Sequence, residues 1–373
     1  MTTPALGRQP LVDHHCHGLV QRDLDRAEIE QLLNEGSGRA PLGTSVFDSM
    51  LGLAVRRHCP PLLDLDPFAD VDSYVRRRRE LGHEEVARRM LAASGITTFV
   101  VDTGFLPEPI TGPDDLAELA GQANAYEIVR LESLAEQVLG EPNGATDFAA
   151  RFAARLAESS AVGAKSIAAY RVGLALPAGK PADDDLATAL TEVRPEADGG
   201  FRVAHPIVNG WLAWTAVEAG MPLQFHVGYG DSDVDLLECD PLRLTAFLRA
   251  TQERGAAVLL LHNYPFHRHA AYLAQVFDHV FMDVSLAVHN TGALSRAVIA
   301  ETLELVPFGK LLFASDAFGL PELYLLGAHL FREGLTSVLD ELTKQGAMTA
   351  ADAYRVTALV THENARRVYR LTS

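Results

Sequence analysis

The sequence predicts an α/β fold, a (β/α)8 TIM barrel with a helical insertion after the first strand. Three features carry that expectation: short apolar runs recur, helix-like stretches follow them, and polar side chains close several runs. Eight runs occur, at residues 11–13, 96–101, 126–131, 162–170, 222–225, 256–261, 279–284 and 310–314. They are too short for helices and start roughly 20 residues or more apart, as parallel strands with helical crossovers require. A strand buried on both faces reads as continuous apolar residues, and Val258-Leu259-Leu260-Leu261 does so.

The elements follow in order. About 80 residues separate the first two runs, far more than one crossover helix needs, so about 19–82 is read as the insertion. It carries helical patterns at 24–33 and 45–59 and is interrupted by Pro60-Pro61. Arg76 to Arg79 falls in a further helix-like stretch and reads as a solvated face. Residues 84–94 form a helical pattern that turns at Gly95 into the second run. Residues 177–200, rich in Pro, Gly, Asp and Ala, read as a long loop with a short helix. Trp211 and Trp214 precede the fifth run and are expected in the core. The 350–370 stretch has an amphipathic stripe (Ala353, Val356, Leu359, Val360) and is expected on the outside of the barrel. No linker marks a second domain, so residues 1–373 are read as one barrel domain including the insertion.

Composition narrows the function classes. Hydrophobic residues make up 48% and charged residues 22%, which excludes a disordered chain. No apolar run reaches the roughly 18 residues of a membrane span. A net charge of −17 repels nucleic acid and anionic membranes. The three cysteines cannot build a disulfide framework, and the N-terminus has no secretory pattern. The expectation is a cytoplasmic protein acting on a small molecule, with homo-oligomerisation left open.

A (β/α)8 barrel holds its active site at the carboxyl ends of its strands. Run one ends in Asp13-His14-His15-Cys16-His17, run five at His226, run six at His262 and run eight at Asp316. His15 and His17 are two apart, so a strand points both to one face. His14 and Cys16 then face the other way, His14 in a supporting or surface role and Cys16 in packing. Imidazole and carboxylate together suit a divalent cation, Zn²⁺ first, with Fe²⁺, Mn²⁺ and Ni²⁺ as further candidates. His15, His17, His226 and Asp316 have the three-His, one-carboxylate content of a catalytic metal centre.

These motifs, with Gln224-Phe225-His226, Leu260-Leu261-His262 and Ala314-Ser315-Asp316, resemble the metal-dependent amidohydrolase superfamily. A closer resemblance is to the amidohydrolase domain that precedes a glutamine-synthetase-like domain in some plant and fungal proteins. It rests on Lys165 to Arg171, Phe225 to Asp231, and Phe313 to Asp316 followed by Pro321-Glu322. The resemblance implies hydrolysis of a C–N (amide) bond, with γ-glutamyl amides as a substrate class. In the mononuclear pattern the positions matching His15, His17, His226 and Asp316 hold one ion, and His262 stays free. In the binuclear pattern a carboxylated Lys165 bridges two ions, and His226 and His262 bind the second. Lys165 has a plain alternative as an ion-paired residue below the barrel. Asp316 is the expected proton carrier and His262 the expected oxyanion donor. Arg171, beside Tyr170 at the end of run four, is the expected clamp for a substrate carboxylate, with a surface or ion-paired arginine as its plain alternative. Asp231 and Asp233 in a Gly-rich loop are expected either to meet a substrate amine or to cap the next helix. Glu322, in the Pro-Glu pair shared with the closer relatives, is expected either to line the substrate or to serve its helix dipole. The superfamily also contains decarboxylases of aromatic acids, which favour aromatic pockets and form the alternative reading.

Overall fold

Parallel pairing follows from the run pattern. In the computed structural model, which describes residues 9–36, 43–105, 108–197 and 199–372, seven strands form one curled sheet. They are β1 (Leu11–Cys16), β2 (Ile96–Asp102), β3 (Asn124–Arg130), β4 (Gly163–Ser166), β5 (Leu223–Val227), β6 (Val258–His262) and β7 (Val280–Met282). All neighbours are parallel and lie in chain order. Every residue of β5 and β6 is buried, which accounts for the unbroken apolar run Val258–Leu261 in β6 and leaves Gln224 and His226 of β5 enclosed.

Seven strands, not eight, are present among the described residues. The eighth run lies between β7 and β1 without forming a regular ladder. The Leu312 N–H donates to Met282 O (3.0 Å), the His14 N–H to Phe313 O (3.2 Å), and the Asp316 N–H to His15 O (3.0 Å). The Ser315 N–H goes instead to the Asp13 carboxylate at 2.9 Å. A side chain that replaces a backbone partner breaks the ladder's repeat. The fourth run shortens for a similar reason. Glu132 accepts from Ser166 Oγ (2.8 Å) and from the Ile167 N–H (3.0 Å), and the chain turns into the 3-10 segment Ala168–Tyr170.

Helices Arg26–Leu32, Met50–His58 and Val71–Leu81 lie between β1 and β2, followed by His83–Ser94. Asp25 and Glu28 form a reciprocal capping box that starts the first of these. The arginine run departs from a solvated face at Arg78. Tyr74, Val75 and Arg78 are the buried residues of their helix, and Arg78 Nε lies 2.7 Å from Glu322 Oε1. Three- and four-residue spacing puts Arg78 on the same helical face as Tyr74 and Val75.

Of the C-terminal segment, Ala353, Val356 and Val360 join the buried cluster that holds Tyr324 of the outer helix Pro321–Lys344, as expected, whereas its end corrects the expectation. Helix Ala350–Ala358 passes through a π turn, Leu359–Glu363, into helix Asn364–Tyr369. Ala365 and Tyr369 join Val12, Val100, Ile128, Leu259, Leu261 and Leu312 in one buried cluster. The neighbouring Phe99 instead meets Tyr324 of the outer helix Pro321–Lys344, at 5.7 Å between rings. Since adjacent strand residues face opposite sides, the terminal helix covers the inner face of the sheet, not its outside. Among the described residues no helix is long and apolar enough to cross a membrane.

Candidate metal centre

A regular β1 would send His14 and His15 to opposite faces. The register shifts between Asp13 and Cys16, which removes that alternation. His15 Nδ1 lies 2.9 Å from Gln224 Oε1, while Gln224 Nε2 donates to His14 O (2.8 Å) and to Tyr369 Oη (2.7 Å). The same Tyr369 Oη lies 3.1 Å from His14 Nδ1, and His14 Nε2 is 2.9 Å from Asp283 Oδ2. One buried chain of hydrogen bonds therefore runs from Asp283 through His14, Tyr369 and Gln224 to His15. The amide oxygen of Gln224 can only accept, so His15 carries its proton on Nδ1 and leaves the Nε2 lone pair free. His17 is set the same way, because its Nδ1 meets the backbone carbonyl of Asp102 at 3.1 Å.

Both free nitrogens point at one carboxylate. His15 Nε2 is 3.2 Å and His17 Nε2 3.7 Å from Asp316 Oδ1, and His262 Nδ1 is 3.3 Å from Asp316 Oδ2. Asp316 has φ +53° and His262 φ +67°, left-handed conformations that occur for non-glycine residues mainly where surrounding contacts hold them. Asp283 holds His262 by accepting its N–H at 2.8 Å, and Ser285 Oγ lies 2.8 Å from His262 Nδ1. His226 stacks 4.6 Å from the His262 ring and 4.4 Å from Tyr170. Its Nε2 is buried with no hydrogen-bond partner. A Cβ at Gly230 would stand 3.0 Å from that nitrogen and collide with Tyr170 Oη, so glycine keeps the space open.

The electrostatics suit a cation. Burial, then Lys165, lowers His15 to about 3. Burial also lowers His262, to about 4 despite Asp316, and pushes His226 well below the usual range with help from His262 and Lys165. Burial would raise Asp316, but His262, His15 and His17 outweigh it and keep the carboxylate ionised. Neutral imidazoles beside an ionised carboxylate are the donor states that a divalent ion needs. Sets of donor atoms within 4.8 Å of one another include His15, His262 and Asp316, and also His15, His17 and Asp102. Lys165 is buried, has no ion pair among the described residues, and is lowered to about 8 by burial. The ion-paired alternative for it is not what the structure holds.

The residues expected at the substrate separate. Tyr170 packs on His226, ring to ring at 4.4 Å. Arg171 turns to Glu136 at 3.4 Å, and exposed Asp233 pairs with Arg202 at 3.3 Å. Glu322, with lining the substrate as one expected role, is instead fully buried between Arg78 and Tyr74, whose hydroxyl donates to it at 2.6 Å. Aromatic rings stand at the centre's edge: Phe105 and Phe318 lie 5.8 and 5.9 Å from His17. Four supporting residues had not been singled out by role. Gln224 and Asp283 carried a signal, one lying two residues before His226 and the other at the end of run seven. Tyr369 and Glu35 carried none. Glu35 lines a cleft of about 450 Å³ with Tyr229, Tyr264 and Asn290. Burial, then Asp316 and Asp231, raises its carboxyl to about 7.

Comparison with known proteins agrees with this geometry. Residues 134–371 match the family model described as Amidohydrolase. Protein fluG of Emericella nidulans is 27% identical over 408 residues, covering 97% of this chain. The chain spans only 46% of that relative's length. A structure from Lactobacillus casei ATCC 334, described as a metal-dependent hydrolase, is 31% identical with a TM-score of 0.81, covering 98% of this chain and 96% of its own. A uronate isomerase from Bacillus halodurans C-125 shares the fold alone, at 13% identity and TM-score 0.64, covering 99% of this chain and 95% of its own. With well over half its length matched by the family model and a 31% identical relative along nearly all of it, the chain belongs to the amidohydrolase family.

Proposed function

We propose that the protein is a metal-dependent hydrolase of a C–N (amide) bond in a small carboxylate-bearing substrate, with γ-glutamyl amides as the first class. In this reading the 310–314 run serves as the eighth stave, and one Zn²⁺ is held by His15, His17, His226 and Asp316. The observation that carries it is the buried, partnerless Nε2 of His226, whose ring stacks on His262, together with the Nε2 lone pairs of His15 and His17 that face Asp316. A bound divalent ion supplies Lewis acidity and makes water nucleophilic near neutral pH.

The remaining roles belong to the chain. Asp316, ionised and 3.3 Å from His262 Nδ1, takes the proton of the attacking water and passes it to the leaving nitrogen. His262, fixed by Asp283 and Ser285, faces the carbonyl oxygen, where a well-placed donor lowers the barrier by about 3–4 kcal/mol. Tyr170 and Asp231 flank the substrate, and Glu35, its carboxyl raised to about 7, closes the same mouth. Lys165, if carboxylated, makes room for a second ion.

Phe105 and Phe318 beside His17 favour a second reading, the non-oxidative decarboxylation of an aromatic acid. Product analysis separates the two. Ammonia or amine release from γ-glutamyl amides is expected, and carbon dioxide release from aromatic acids without amine would replace the hydrolase reading. His226→Ala should lose bound metal and activity while its circular dichroism stays that of the wild type. Full metal content in that variant overturns the ligand set.

A further inference from the structure

A second cluster of metal-type donors lies away from this centre, on the outside of the fold. His58 is the last residue of helix Met50–His58, and His329 and Glu333 lie four apart on helix Pro321–Lys344. Residues at i and i+4 share one helical face, so the imidazole and the carboxylate project side by side. His329 Nε2 is 3.7 Å from Glu333 Oε2, and the His58 and His329 rings are 4.4 Å apart. One donor atom from each of the three lies within 4.8 Å of the others. Tetrahedral ligands at about 2.0–2.1 Å from Zn²⁺ stand roughly 3.4 Å apart, so small side-chain rotations bring the trio to bonding distance.

The geometry points to a separate, peripheral site for a borderline transition-metal dication such as Zn²⁺, held by His58, His329 and Glu333 with water completing the shell. Two imidazoles and one carboxylate match that class and not Ca²⁺ or Mg²⁺, which take oxygen ligands. Two different helices supply the ligands, so the ion links them. Helix Met50–His58 also contributes Leu51 to the cleft that Glu35 lines. Occupancy therefore fastens one wall of the cleft to the long helix that follows Asp316. This inference is independent of the chemistry proposed for the central site.

The test is Zn²⁺ stoichiometry and thermal stability on the full chain. Wild type, His329→Ala and Glu333→Gln are stripped with chelator and dialysed against micromolar Zn²⁺, and bound metal is counted. Wild type should hold one equivalent more than His329→Ala, and the His226→Ala variant should keep that extra equivalent. Glu333→Gln should bind it at least tenfold more weakly. Added Zn²⁺ should raise the melting temperature of His226→Ala but not of His226→Ala/His329→Ala. Equal metal counts in wild type and His329→Ala would overturn the proposal. His329 and Glu333 are exposed, so their substitution leaves the fold in place for the measurement.

Discussion

Replacing Tyr369 by phenylalanine removes one oxygen atom and tests whether the distant hydrogen-bond chain sets the metal centre. The ring stays in its buried cluster, so no large cavity opens. Two partners lose their contact: His14 Nδ1 at 3.1 Å and Gln224 Nε2 at 2.7 Å. Each buried group left unsatisfied costs about 1–3 kcal/mol, so a loss of roughly 2–6 kcal/mol in unfolding free energy is expected. A direct partner of a metal-binding histidine typically accounts for 10–100-fold in metal affinity. Tyr369 acts one bond further out, through Gln224, so the variant should bind Zn²⁺ about tenfold more weakly, or about 1.4 kcal/mol. Urea unfolding gives the first quantity, and competition with a chromophoric chelator gives the second. A destabilised variant whose Zn²⁺ affinity equals the wild type would show that the chain only packs the interior, and the positioning argument would fail.

Two further outcomes follow from buried charges elsewhere. Arg78→Ala leaves the Glu322 carboxylate buried without its cation, which typically costs 3–5 kcal/mol, so the melting temperature should drop sharply while the central metal count stays unchanged. Unaltered stability would refute the pairing. His279, packed near Thr251 at 3.2 Å, is lowered to about 4, first by burial and then by Lys310. Between pH 6.5 and about 4 the unfolded chain binds the extra proton, so this group's contribution is intact above pH 6.5 and is lost as the solution is acidified. After discounting for partial exposure, wild type should lose on the order of 1 kcal/mol more than His279→Gln between pH 7 and pH 5. Parallel pH dependences of the two proteins would contradict it.

The five chemistry-bearing side chains were legible because each closes an apolar run, and parallel strands bring their carboxyl ends together whatever the loop lengths between them. Period-two reasoning failed at His14 because a bulge is a local register event that leaves no mark on hydrophobic pattern. It failed again at the eighth run, where the Asp13 side chain takes a backbone donor that strand pairing would use. Glu322 read as a substrate or helix-dipole residue because its partner, Arg78, lies 244 residues earlier in a run of four arginines that reads as solvated. Tyr369 sits in an amphipathic stripe that shows a buried face without saying which layer receives it. Long-range polar pairings of this kind are set by three-dimensional convergence, and nothing in local spacing encodes them.

The hydrogen-bond chain that orients His15 also imposes an order of events during synthesis. His14 and Tyr369 are 355 residues apart, and Asp13 and Ser315 are 302 apart. At about 5–20 residues per second, the ribosome needs roughly 15–60 s to pass from one member of the second pair to the other. Throughout that interval the nascent histidines of β1 have neither their carboxylate nor the tyrosine that steadies them. Assembly of the candidate centre is consequently a late step, completed only after the helix that carries Tyr369 has docked.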